Sequence, residues 1–510
     1  MKRLTDLEYL QKNKFQKMLY KTKCFFAAIP QKFLNLIKNI GRFFAKLGIG
    51  IKNDVIDIYQ TFKNGDYKTR MSFIIMGFGS FARKQYLRGV LFLLFELVFI
   101  VYMIFGGAHW LSLLPSLGKV PPQINVYSEE LDTYTNIPAP DPSFKILLYG
   151  VLTILFMGAL IYTWRLNVKQ NKINEEIIKL GKKINTNKDD LRSALDEQFH
   201  KTLLALPTIG VVIFTVLPIL FMILIAFTNF DAQHDGRNNN LFTWIGLTNF
   251  NQLLGWSSDG TSFSATFGEI LSWTLMWAFF ATFSNYFLGM FVAMMINKKG
   301  IKLKKVWRTI LVMTIAIPQF ISLMYVSKMF DKNGIVNNIL LRFNIISRPI
   351  EFWESKGSAR LTVILINIWI GIPYLMLITT GILMNIPQDL YESARIDGAN
   401  PWQQYTKITL PYVLFVTAPY LLTSFIGNIN NFNVIYLLTG GGPKNAASMT
   451  SGAPAGHTDL LITWLFKLTT QDSNYKLASV IGIMVFIVVS VISVIVYNLI
   501  PSTRNEEDYS

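Results

Sequence analysis

The sequence predicts an all-α, polytopic membrane protein with eight transmembrane helices, and three observations predict it. Of the 510 residues, 51% are hydrophobic and only 15% charged, a combination that soluble domains rarely show. Eight stretches approach the roughly 20 apolar residues that cross a hydrocarbon core of about 30 Å. The basic residues are also strongly partitioned to one side of those stretches, as membrane orientation requires.

Taken in order, Met1–Arg88 carries 18 Lys/Arg against 5 Asp/Glu and supplies +13 of the +17 net charge. Its first 24 residues are lysine-rich and lack the apolar core of a signal peptide. Phe33, Leu34, Ile37, Ile40, Phe43, Phe44 and Leu47 recur at helical spacing, with Lys32, Lys38, Arg42 and Lys46 between them. The pattern fits a basic amphipathic helix on an anionic membrane face, and equally a solvated basic tail with helical bias. The single cysteine, Cys24, excludes an internal disulfide and any CxxC site.

The expected spans are Gly89–Phe105, Ile146–Trp164, Leu203–Phe227, Ile270–Ile296, Val306–Met329, Leu361–Leu383, Tyr412–Leu438 and Leu477–Ile500. They divide the chain into a basic cytoplasmic region (1–88), two spans with a linker (89–200), a six-span core (201–500) and a tail (501–510). With the N-terminus inside, the cytoplasmic segments hold 36 Lys/Arg and the opposite loops 8. The positive-inside rule therefore expects both termini in the cytoplasm of a cell-membrane protein. This distribution also accounts for the net charge without nucleic acid. Pro138-Ala139-Pro140-Asp141-Pro142 reads as ordered outer turn, and Trp110, Trp244 and Trp353 fall where an aromatic belt lies. Arg165–Lys201 mixes both charge signs as a solvated helix would.

Nothing in the sequence supports an enzyme. It has no G-x-x-x-x-G-K-[ST] phosphate loop, no H-E-x-x-H and no G-x-S-x-G. His109, His200, His234 and His457 show no ligand spacing, so no catalytic residue, metal site or cofactor is expected in this chain. Polar residues inside the spans are more informative, because hydrocarbon penalises them unless they face protein or water. Ser424, Asn428, Asn431 and Ile435 share one face if the seventh span is a single helix. That face suits either a hydroxyl-rich cargo or interhelical hydrogen bonding. In the sixth span, Trp369-Ile370-Gly371-Ile372-Pro373-Tyr374 combines a Gly/Pro interruption with a phenol that could stack on a sugar ring or simply pack between helices. Glu96 is the one acid well inside a span and reads as structural. Gly440-Gly441-Gly442-Pro443 is a turn signal.

One stretch organises the rest. The cytoplasmic loop 390–411, LYESARIDGANPWQQYTKITLP, is polar and helix-forming between two apolar spans. Glu392, Ser393 and Ala394, then Gly398, then Ile408, Leu410 and Pro411 resemble the EAA-x3-G-x9-I-x-L-P motif of ABC importer permeases, with Ser393 replacing the middle alanine. Asn430-Asn431-Phe432, Leu437-Leu438-Thr439, Gly441-Gly442-Pro443 and Pro454–Leu461 are similar to the maltose/maltodextrin (MalF-like) family. The resemblance covers roughly Lys201–Ile500.

The resemblance implies a type I ABC importer permease fold and transport of malto-oligosaccharides. Its partners would be a second (MalG-like) permease subunit, two ATPase subunits that bind the ATP and Mg, and an extracellular sugar-binding protein. The loop would form two short helices, Leu390–Ala399 and Trp402–Lys407, with Gly398 at the turn and Pro401 in the first turn of the second. Glu392 would face a basic residue of the ATPase, and Ile408 and Leu410 would hold the loop to its own span. Gly371, Tyr374, Ser424, Asn428 and Asn431 fall on cargo-contacting positions of the family, and Gly427 stands where a well-known member has an aromatic. Asn229–Glu269 is too short for the folded insertion of enteric relatives, so a membrane-tethered binding protein is expected. Two alternatives are another oligosaccharide, such as galacto-oligosaccharides, and a stand-alone secondary transporter. The latter would need buried charges for ion coupling and leaves the loop unexplained.

Overall fold

The computed structural model describes residues 48–497 apart from 119–124, 129–132, 137–140, 237–239, 256–260, 299 and 450–452, with Lys38, Gly41, Arg42, Ala45 and Lys46. The apolar positions from Phe33 to Leu47, Cys24 and the tail 501–510 lie outside the described residues.

Helices dominate. A helix α1 spans 48–64. It is followed by α2 (Tyr67–Met71), α3 (Phe78–Ala82), α4 (Tyr86–Leu113), α5 (Ser143–Lys179), α6 (Asn187–Leu195) and α7 (Phe199–Ile225). Next come α8 (Thr261–Asn297), α9 (Lys304–Ala316), α10 (Gln319–Met329), α11 (Lys356–Met384) and α12 (Gln388–Ile396). The last are α13 (Pro401–Ile429), α14 (Phe432–Thr439), α15 (Leu461–Thr470) and α16 (Tyr475–Tyr497). Between α4 and α5, Asn125–Ser128 pairs antiparallel with Thr133–Asn136, a small hairpin where the sequence suggested only turns.

Among the described residues seven helices are long and apolar enough to cross a membrane, and α9 with α10 makes an eighth crossing if counted as one span. Two expected spans are not straight. The fifth, Val306–Met329, bends by 93° between α9 and α10. Pro318 explains it, because a residue before proline is driven from the helical region and Ile317 sits at ψ 127°. The seventh, Tyr412–Leu438, is interrupted between α13 and α14 at Asn430-Asn431.

The chain divides into two compact units, 1–109 with 151–210, and 110–150 with 211–510. In the first, a polar seam joins the segment 61–88 to the C-terminal half of α5. The Arg83 side chain is 1% exposed and donates to both Asp66 carboxylate oxygens, to Thr69 and to Asn171. Glu175 accepts from the Asp66 amide and the Thr69 hydroxyl, and Asn174 donates to Gln85. Asp66 keeps partial access to solvent, while Arg83 Nε is buried without a hydrogen-bond partner, so the seam satisfies the guanidinium only through its two terminal nitrogens.

In the second unit α8 is the axis. Successive turns enter separate buried clusters: Phe263 and Ile270 beside Trp464 and Leu477, then Trp273 and Trp277 beside Val363 and Ile435, then Tyr286 and Met290 beside Leu375 and Val413. Its broadest packing is against α11. In lipid, helices associate by close packing over small residues. Here a Cβ on Gly289 would stand 2.6 Å from Leu375 Cβ, and one on Gly371 would stand 2.3 Å from Asn285 Nδ2.

Candidate functional site

The loop 390–411 is built rather than slack. α12 ends in a left-handed residue, Gly398, at φ +78°. The Ala399 amide donates to Ala394 O at 2.8 Å and the Gly398 amide to Arg395 O at 3.0 Å. These are the two bonds of a Schellman cap, which a glycine at this position makes with little strain. Asn400 then caps α13: its side chain accepts from the Gln403 amide while Gln403 accepts from the Asn400 amide, both at 2.8 Å. Pro401 occupies the first turn, where its missing N–H is no loss.

Where the sequence suggested a separate helix Trp402–Lys407, the chain instead runs on as one helix into the span, through a π-helical turn at Tyr405–Thr409. Pro411 supplies the physical reason, since it has no N–H for the carbonyl four residues back. The loop is thus continuous with the span it precedes.

It is also anchored. Tyr391, Tyr405, Ile408 and Leu410 pack against buried Tyr286, Met290, Leu375, Ile386 and Val413, so the loop touches α8 and α11 as well as its own helix. The Tyr391 hydroxyl lies 2.8 Å from Thr409 Oγ1. Glu392, Ser393, Gly398 and Pro411 are exposed and Ala394 half-buried. Two residues the motif does not contain stand out: Ile396 is 87% and Trp402 70% exposed. Large apolar side chains in an otherwise polar loop were the available signal for them.

The polar span residues gather less simply. Asn431 does not share a helix face with Ser424 and Asn428; it caps α14 by accepting from the Val434 amide. The interruption nevertheless keeps the asparagines together, with Asn431 Nδ2 3.3 Å from Asn428 Oδ1 and Asn428 Nδ2 3.0 Å from Thr282 Oγ1. The Trp277 indole donates to Asn428 O at 3.1 Å. Interhelical bonding therefore engages Asn428. Tyr374 is half exposed, its ring 6.3 Å from that of Tyr420. Gly371 is where α11 passes Asn285 of α8, and a Cβ on Gly427 would meet nothing within 4 Å.

A second polar knot, which no sequence motif announces, lies at the opposite end of α8 from the loop 390–411. Glu269 accepts from Lys356 at 2.8 Å and Asn445 at 3.0 Å and lies 3.2 Å from His457 Nδ1. Arg360 donates to His457 O and stacks over Trp273 at 4.5 Å. Fully buried Asp459 pairs with Lys467, and a Cβ on Gly441 would stand 2.0 Å from Asp459 Oδ1. The glycine run is therefore a close approach as well as a turn. Glu96 accepts the Met76 amide at 2.8 Å, in line with a structural acid.

A bundle of apolar spans carrying a built, exposed loop is the architecture of a membrane permease component. Residues 285–504 match the family described as binding-protein-dependent transport system inner membrane component. The Streptococcus pneumoniae maltodextrin transport system permease protein MalC is 33% identical over 84% of this chain and 95% of its own length. The Bacillus subtilis galactooligosaccharides transport system permease protein GanP is 33% identical over 82% and 93%. The Escherichia coli maltose/maltodextrin transport system permease protein MalF is 33% identical over 45% of this chain and 44% of its own. The chain belongs to the maltose/maltodextrin (MalF-like) family of ABC importer permeases.

Proposed function

We propose that this chain is one of two membrane-spanning subunits of an ATP-driven importer of malto-oligosaccharides. The second is a MalG-like permease, two ATPase subunits bind ATP and Mg beneath them, and an extracellular binding protein delivers the sugar. The chain itself hydrolyses nothing. Both termini lie in the cytoplasm, as the distribution of Lys and Arg indicates.

The observation that most supports this is the loop Leu390–Pro411, rigid in itself, packed on three spanning helices and presenting Glu392, Ile396 and Trp402 outward. A force on α12 passes into α13 without a hinge. Glu392 pairs with a basic group of the ATPase, Ser393 and Ala394 give its surface a close fit, Gly398 sets the turn, and Ile408, Leu410 and Pro411 tie it to the span. Closure of the ATPases thereby rocks the spans between inward- and outward-facing states.

On the cargo side Tyr374 offers an aromatic face, and Ser424, Asn428 and Asn431 offer hydroxyl and amide groups, with Gly371 permitting close approach. Aromatic faces and convergent polar groups suit a sugar ring. The open space over Gly427 leaves the site without a stacking ring there, which favours passage of long chains over tight retention. Galacto-oligosaccharides are the second reading, supported by the relative GanP at the same identity.

The test is to purify the complex from membranes through a tag on this chain and reconstitute it with its binding protein. Import of maltotetraose that requires internal ATP supports the proposal. Import of galacto-oligosaccharide alone supports the second reading, and import without ATP refutes both.

A further inference from the structure

We infer that residues 51–85 form a monotopic collar embedded in the membrane leaflet on the N-terminal side, with the turn between α2 and α3 re-entering the hydrocarbon. The leaflet is the cytoplasmic one only under the orientation proposed above; the embedding does not depend on it.

Four backbone groups at the tip of this hairpin are bonded by side chains of the spanning helices. The Met76 amide donates to Glu96 Oε2 of α4 at 2.8 Å, and the Gly77 amide to Asn167 Oδ1 of α5 at 3.1 Å. Ser72 O accepts from Asn167 Nδ2 at 2.9 Å, and Phe73 O from the Trp164 indole at 3.0 Å. A loop in water would leave such groups to solvent. Non-helical backbone at membrane depth must be satisfied by protein, and here two spans supply the partners. The depth agrees: Glu96 lies eight residues beyond Arg88, which is paired with Asp190, and therefore about 12 Å further along α4. An acid inside an apolar span is thus accounted for by the amide it receives.

The hairpin is seated closely. A Cβ on Gly77, at φ +85°, would lie 2.4 Å from Gly89 O of α4, and one on Gly89 would lie 2.8 Å from the Phe81 ring. What it turns outward is apolar: Ile74 is 69% exposed, and Ile75 is exposed beside it. In α1 the exposed Ile51, Val55, Tyr59 and Phe62 recur at i, i+4, i+8 and i+11, one face of a helix. The other side of α1 carries Asp54 and Asp57, paired with Arg165 and Lys172 of α5, and exposed polar Asn53 and Asn64.

Lipid is the occupant to which this surface commits. The hairpin tip is seated on α4 between Gly89 and Glu96, the stretch in which Val90, Leu91 and Leu94 are exposed and apolar, and exposed Lys52, Lys63 and Lys84 supply the cations that anionic headgroups attract. An apolar stripe accompanied by cations is how an interfacial helix meets a bilayer.

The test uses the full-length chain, with its complex, in nanodiscs containing phosphatidylglycerol. Cys24→Ser gives a cysteine-free background for spin labels at Asn64→Cys, Phe62→Cys, Val55→Cys and Ile74→Cys. The ratio of oxygen to nickel-chelate collision should rise from Asn64 to Phe62 and Val55 and be highest at Ile74. A water-like ratio at Ile74, or protection of Val55 and Phe62 from both reagents, would overturn the inference, the second outcome placing a protein partner there. Glu96→Leu should shift the Ile74 label toward water, and an unmoved label would equally count against the re-entrant tip. Labelling of Asn64→Cys by a membrane-impermeant maleimide in sided vesicles reports orientation separately.

Discussion

The turn at Gly398 allows a graded perturbation of the loop. Its φ of +78° lies in the left-handed region, and an added Cβ would meet nothing within 4 Å. Substitution there strains the backbone without a clash, so the effect isolates the turn. A Cβ in that conformation costs roughly 1–2 kcal/mol, Asn bears it better than Ala, and a β-branched residue bears it worst. A penalty of that size lowers the population of the formed turn by a factor of about 5–30. Because Tyr391, Ile408 and Leu410 keep both flanks packed, the strain is confined to the segment proposed to meet the ATPase. Binding-protein-stimulated ATP hydrolysis in proteoliposomes should therefore fall in the order Gly398→Asn, Gly398→Ala, Gly398→Val. Subunit stoichiometry of the purified complex should stay unchanged. Full coupling in Gly398→Val with normal assembly would refute the argument that this turn transmits force.

Other expectations follow from particular contacts. Gly371→Val drives a side chain into Asn285 and should cost about 1–3 kcal/mol by overpacking, read as lowered thermal stability in nanodiscs. Asn285→Ala should recover part of that loss, and strictly additive effects would argue against a shared contact. Tyr374→Ala and Asn431→Leu should weaken maltotetraose import without impairing assembly; normal import in both would return these residues to packing roles. Burial raises the Asp231 carboxyl, but Lys476 and His234 outweigh it and hold the pKa at about 2 against an ordinary 3.8. A depressed carboxyl stabilises the fold fully above its ordinary value. About 2 kcal/mol should then be lost as the pH falls from about 4 toward 2. Asp231→Asn should remove that acid limb from the unfolding profile.

The membrane class was legible because apolar run length and cation partition are properties of the chain itself. The same holds for the turn at Gly398, where a glycine, a capping asparagine and a proline fall within four residues, Gly398-Ala399-Asn400-Pro401. Hydropathy averages could not show the interruptions. Pro318 bends an uninterrupted apolar run, and Asn430-Asn431 ends α13 inside a stretch that still reads as one span. That break removed Asn431 from the expected helix face while a hydrogen bond kept it beside Asn428. The seams were hidden for a different reason. Arg83 with Asp66, Glu269 with His457, and Glu96 with Met76 join residues 17, 188 and 20 positions apart, and no local period records such pairs. Gly371 was legible as an interruption, but its closeness to Asn285 depends on how α8 and α11 cross.

The contact most central to the proposed mechanism is that between the loop and an ATPase, and Ile396 is its most accessible reporter. In a Cys24→Ser chain, Ile396→Cys should form a crosslink to the copurified ATPase through a short bifunctional maleimide, with a yield that changes on ATP binding. A cysteine at this position that reacts freely with a soluble maleimide in the assembled complex, yet never crosslinks to an ATPase in any nucleotide state, would contradict the account.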